Sequence, residues 1–174
     1  MAADPFSDSS APGFDDPLGM LAACHRRIER QLATLDRLQR HLPEHGCDAD
    51  ARVGATAILK YFDAAAPNHH ADEEKSLFPR LRKRHANAGA LIDDLESDHV
   101  TLAASWRRLR PLLAGIAAGN RANLSPKQVA ELRAAYAAHI AREEGELIPF
   151  AARALDAEAM REIGEEMAAR RRNL

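Results

Sequence analysis

A chain of 174 residues, 46% hydrophobic and 29% charged, is long enough to bury the core of one domain and too short to hold two comfortably. Alanine is prominent and aromatics make up only 5%, which favours closely packed helices over aromatic-rich strands and excludes a sandwich as the leading class. The net charge of −2 and pI near 6.4 give no bulk electrostatic reason to expect nucleic acid or an anionic membrane as a partner.

The first residues, Met1 to Asp16, carry Pro, Ser, Gly and Asp, with neither a basic start nor an apolar run of signal-peptide length. The chain nowhere offers an uninterrupted apolar stretch of roughly 18 residues, so no membrane span is expected and the location should be cytoplasmic. Cys24 and Cys47 form no CxxC pair and suit a reducing compartment as free thiols.

Residues 1–15 have the composition of a flexible tail, and Asp15, Asp16 and Pro17 read as a helix start with proline in the first turn. Leu21, Ile28, Leu32, Leu35, Leu38 and Leu42 then recur at helical spacing until Pro43 to Gly46 interrupt them. A second periodic run from about Asp50 to His85 includes Ile58, Phe62, Leu77 and Leu81. It contains Pro67 and Pro79, and a kink or short break is expected near Pro67 because proline removes a helix hydrogen bond. A third helix runs from Leu91 to about Gly119, and Ser125-Pro126 caps a fourth that passes through Leu132, Tyr136, Ile140 and Leu147. Asp156 can cap a shorter fifth helix, whose Arg170 to Arg172 read as a solvated end. The expected architecture is all-α: an antiparallel up-down-up-down four-helix bundle over 16–155, with a C-terminal helix over 156–174.

Two segments on different helices match position by position: His69-His70-Ala71-Asp72-Glu73-Glu74, continuing to Leu77-Phe78-Pro79, and His139-Ile140-Ala141-Arg142-Glu143-Glu144, continuing to Leu147-Ile148-Pro149. Helical residues four apart differ by about 40° in direction and about 6 Å in height, so His69 with Glu73 and His139 with Glu143 each aim two donors at one metal. The spacing also allows His70 with Glu74, but only His69 and Glu73 align with the second segment. The remaining helices each supply one candidate inward histidine, His25 and His99, although the levels of the four groups along their rods do not agree perfectly. Imidazole with carboxylate suits iron, whereas all-oxygen sets favour calcium or magnesium and structural zinc favours thiolates. Four histidines and two glutamates exceed one tetrahedral ion and suit two ions bridged by the carboxylates.

On those residues the chain resembles the hemerythrin-like HHE cation-binding family, whose pattern is a lone His, HxxxE, a His, then HxxxE, one group per helix. The resemblance covers about 18–150. It implies a four-helix bundle holding two iron ions, oxo- or hydroxo-bridged, with His25, His69, His99 and His139 as terminal ligands and Glu73 and Glu143 as bridges. It also implies a small partner, dioxygen, nitric oxide or peroxide. Oxygen-carrying hemerythrins place two histidines four apart on the third helix. Here the positions four from His99 are Leu95 and Ala103, which tells against fast reversible oxygen carriage. His70, Glu74 or water is left to complete the coordination.

Other features read as structural. His41, His45 and His85 sit near helix ends, Glu144, Glu146, Glu96 and Asp98 read as solvated or salt-bridged, and Arg107, Arg108 and Arg110 read as an outer face. Glu96 to His99 is an ExxH, but a ferritin-like oxidase needs two copies. Three functions remain in play: a module that binds or senses a small ligand, an enzyme acting on nitric oxide or peroxide, and an iron-storage or iron-sensing module.

Overall fold

The structure, a computed structural model, describes residues 12–120 and 123–172, and these form helices and connecting turns with no strand among them. The segment expected to be a flexible tail lies mostly outside the described residues. Helix α1 (Pro17–His45) opens as predicted, the Asp16 carboxylate accepting the Gly19 N–H at 2.9 Å and Pro17 standing in the first turn. It runs on through Pro43 and ends at Gly46, whose φ of 66° provides the left-handed turn and whose N–H donates to the Leu42 carbonyl at 2.9 Å.

The second rod is three α-helices end to end, α2 (Ala49–Lys60), α3 (Ala66–Asp72) and α4 (Phe78–Arg84), joined by π-helical turns at Tyr61–Ala65 and Glu73–Leu77. Next come α5 (Gly89–Ala117) and α6 (Pro126–Arg142), the latter continuing through a third π-helical turn, Glu143–Leu147, into α7 (Ile148–Ala154). Each wide turn is followed by one residue and then a proline: Pro67, Pro79 and Pro149. A proline cannot donate to the carbonyl four residues back and its ring crowds that carbonyl, and widening the turn relieves both problems. The helix therefore continues across Pro67, where a break was one of the expected outcomes. Ser125 caps α6 through the Gln128 N–H, and Asp156 caps α8 (Ala157–Arg172) through the Ala159 N–H at 2.9 Å.

The core comes in two parts. Ile28, Leu35, Ile58, Phe62, Leu102 and Tyr136 belong to one apolar cluster, and Leu21, Leu77, Leu95, Leu147, Ile163 and Met167 to the other. Fully burying a side chain of this size contributes about 1.5–3 kcal/mol, so both clusters are main contributors to the stability of the fold. Between them lies a layer of buried histidines and carboxylates. Along α1 the chain passes Leu21, His25 and Ile28; along the second rod Phe62, His69 with Glu73, and Leu77; along α5 Leu95, His99 and Leu102; along the fourth rod Tyr136, His139 with Glu143, and Leu147.

Helix α8 closes one end, packing on α1 and α3. Of its three terminal arginines only Arg172 is exposed as expected: Arg170 and Arg171 both bind the carboxylate of Asp72, which is 1% exposed, the Arg171 Nη2 to Asp72 Oδ2 distance being 2.7 Å. The sequence shows the arginines but not the acid they meet, which lies about a hundred residues earlier in the chain. The Phe14 carbonyl crosses α8 at Gly164, where a Cβ would stand 1.8 Å from its oxygen, and the Arg171 guanidinium lies 5.5 Å from the Phe14 ring centre. Phe14, part of the expected tail, thus forms part of the packed end. No helix among the described residues is long and apolar enough to cross a membrane.

Candidate metal centre

The six residues singled out in the sequence meet in the polar layer. His25, His69, Glu73, His99, His139 and Glu143 are 0–4% exposed and come from all four long rods. Helix α1 extends only eight residues beyond His25 towards this end, while the other rods extend ten or eleven past their nearest donor. The helix α8 and Phe14 fill the space above the shorter rod, which accounts for the unequal levels.

The imidazole Nε2 atoms face the carboxylates. His25 Nε2 lies 2.9 Å from Glu143 Oε2, His139 Nε2 3.2 Å from Glu143 Oε1, His99 Nε2 3.3 Å from Glu73 Oε2 and His69 Nε2 3.5 Å from Glu73 Oε1. These eight atoms are buried, yet none has the angles of a hydrogen bond to any partner. A cluster of unsatisfied buried donors and acceptors of this size is costly, at about 1–3 kcal/mol per group, unless something else satisfies it. Donor atoms of His25, His69, Glu73 and Glu143 lie within 4.8 Å of one another, and so do those of Glu73, His99, His139 and Glu143. The two sets share both carboxylates. Nitrogen and carboxylate donors of this kind fit a first-row transition cation.

Three of the rings are held from behind. His25 Nδ1 lies 3.0 Å from Glu144 Oε1, His99 Nδ1 2.7 Å from Glu74 Oε1 and His139 Nδ1 3.3 Å from Asp98 Oδ2. A carboxylate at Nδ1 keeps the proton there and leaves the Nε2 lone pair directed into the layer. Arg26 in turn pairs with Glu144, and Arg142 with Asp98 at 3.2 Å. The sequence reading placed Glu144 and Asp98 on solvated or salt-bridged faces, and the structure puts each of them behind a site histidine. Glu74 and Glu144 occupy equivalent places in the repeated Glu-Glu, a signal that was available for both.

His70, second to the aligned His69 and one of the candidates to complete the coordination, also lies against the layer. Its ring stacks on that of His99, with centroids 4.0 Å apart and planes at 12°, and its Nε2 is buried without a partner. By contrast, Glu96 of the ExxH pairs with Arg82 at the surface, at 2.9 Å. His41 binds Asp48 and His85 meets the Ala154 carbonyl, so neither joins the layer. Of the arginines near Trp106, Arg110 pairs with Asp63 at 2.9 Å, and Asp63 also accepts the indole N–H.

The electrostatics are those of a site that could hold a cation. Burial, opposed only in part by the Glu143 charge, lowers the His69 pKa to about 3, and burial likewise holds His70 well below the ordinary value. Glu73 is pushed well above the usual carboxylate range by burial and by the charge of Glu143. Burial works the same way on Glu143, but the close imidazoles of His139 and His25 win and hold it well below that range. Without cations, two buried carboxylates must be charged asymmetrically, and dipositive ions between them remove that conflict.

A curated protein of Haemophilus influenzae, named only as uncharacterized, is 34% identical to this chain over 158 residues, covering 91% of each. The profile of the hemerythrin HHE cation-binding domain matches residues 16–151, which contain all six donors. By that match, and by the site it contains, the chain belongs to the hemerythrin HHE cation-binding family.

Proposed function

We propose that this chain is a non-haem di-iron protein of the cytoplasm that binds or senses a small diatomic ligand, dioxygen or nitric oxide, within an antiparallel up-down-up-down bundle. The observation that carries the reading is the sharing of Glu73 and Glu143 between two donor sets, one completed by His25 and His69, the other by His99 and His139. The bundle topology is supported by the order in which the rods meet the two apolar clusters, which reverses from each rod to the next. Iron, when bound, supplies a redox-active Lewis-acid centre to which a small exogenous ligand can bind.

The chain's own residues account for the rest. The imidazoles would offer nitrogen donors, the carboxylates of Glu73 and Glu143 would balance charge as donors common to both sets, and Glu144, Glu74 and Asp98 fix three of the rings. Apolar layers on both sides keep bulk water away, and the burial of every donor selects a small ligand over a large one. The test is metal analysis and optical spectroscopy of protein reconstituted with ferrous iron, before and after azide and nitric oxide. Two irons per chain and an absorption band that shifts on adding the ligand are expected. Sustained consumption of nitric oxide or peroxide above the rate of free iron would transfer the assignment to an enzyme, and loading with no response to any of these ligands would refute ligand binding.

A further inference from the structure

We infer that His70 is a third imidazole donor to the ion held by His99 and His139, so that the two ions sit in unequal shells. This deepens the di-metal reading above and rests on it. Consecutive residues on a helix point about 100° apart, so neighbours on one rod can serve different ions. His69 falls in the set with His25, the two rings lying 5.0 Å apart, edge to face. His70 falls on the other side, where its nitrogen lies within 4.8 Å of those of His99 and His139.

Three further observations point the same way. The His70 Nε2 is buried and meets no hydrogen-bond partner, as do the Nε2 atoms of the other four histidines. Helix α5 has no second histidine one turn from His99: Leu95 is committed to an apolar cluster and Ala103 is exposed. Glu74, the other neighbour of the aligned pair, accepts from His99 Nδ1 at 2.7 Å, behind the ring and away from the shared carboxylates. The repeat hides this role, because the position equivalent to His70 in the second segment is Ile140, a core residue.

The test uses the full chain and ferrous iron added anaerobically to wild type, His70→Leu and His70→Gln, with helical circular dichroism to confirm folding. Loss of an outer hydrogen-bond partner of a metal ligand already costs about 10–100-fold in affinity, so loss of a direct donor should exceed that. The second equivalent of iron is therefore expected to bind more than about 100-fold more weakly in both variants, with the first little changed. X-ray absorption should count five imidazoles over two irons in wild type and four in the variants. Variants that take both irons with wild-type affinity and an unchanged imidazole count would overturn the assignment of His70 while leaving the di-metal centre standing. Wild type that takes fewer than two irons would overturn the di-metal reading and the inference together. His70→Gln keeps a polar side chain of similar reach, so the imidazole count stays decisive if His70→Leu fails to fold.

Discussion

Replacing both Arg170 and Arg171 with alanine strips the Asp72 carboxylate of its guanidinium partners while leaving it in place one residue before Glu73. The carboxylate side chain is fully buried, and the two arginines are 18% and 27% exposed, so water reaches the cations more readily than the anion. Breaking a wholly buried pair by removing one partner costs about 3–5 kcal/mol, and partial access of water to the cations reduces that to about 2–3 kcal/mol here. For a chain of this length that is a fall in Tm of about 5–10 °C. Urea titration in the presence of chelator measures it, and Asp72→Asn in the same background supplies the control. With no buried charge left to strand, the triple variant should recover at least about 1 kcal/mol, a coupling that independent sites do not show. A double-arginine variant that loses less than about 0.5 kcal/mol would refute the reasoning and return these side chains to the class of exposed pairs that contribute little.

His69→Leu should abolish one of the two donor sets and yet stabilise the metal-free protein by about 1–2 kcal/mol, because both ring nitrogens are buried without partners; a lower urea midpoint would contradict this. The pH response of the metal-free protein follows from the same ring. Its folded pKa, about 3, lies below the unfolded value near 6.5, so the unfolded chain gains the proton first as pH falls. Stability from this group is complete above about pH 6.5 and declines by about 1.4 kcal/mol per unit down towards pH 3. Urea midpoints between pH 7 and 4.5 should therefore fall less steeply in His69→Leu than in wild type, and equal slopes would exclude the effect. Glu144→Gln leaves the fold intact but weakens the hold on His25 Nδ1, and is expected to lower iron affinity by about 10–100-fold in a competition titration; an unchanged affinity would make Glu144 a mere surface acid.

The paired HxxxE segments carried most of what was legible, because a ligand pair four residues apart constrains one face of a helix and a second copy is hard to explain otherwise. His25 and His99 were legible only through them, since a lone histidine on an apolar stripe is usually a hydrogen-bonded core residue. The helix starts at Asp16, Ser125 and Asp156 were written in local chemistry and stand as read. What escaped was whatever depends on two distant segments meeting. Asp98 and Glu144 look like any surface acid until the neighbouring rod brings His139 or His25 up to them. Arg170 and Arg171 look like a helix end until α8 folds back on Asp72. His70 stayed one of three candidates to complete the coordination for a different reason: comparing two repeats finds the roles they share and cannot choose a residue that only one of them carries.

The wide turns have a consequence for how the buried donors stay aligned. His69, Glu73, Leu77 and Leu81 are all buried, as are His139, Glu143, Leu147 and Ala151, each quartet advancing by four residues at a time. In an uninterrupted α-helix that cadence would wander by about 40° at each step, carrying the fourth side chain roughly 120° from the first. A revolution that consumes an extra residue winds the drift back, so one straight seam can present imidazole, carboxylate and two core residues in a line. Shortening the chain by one residue within Glu143–Leu147 should therefore put the seam out of phase, with the carboxylate and the apolar end no longer able to face inward together, and return Pro149 to the crowding that the wide turn relieves.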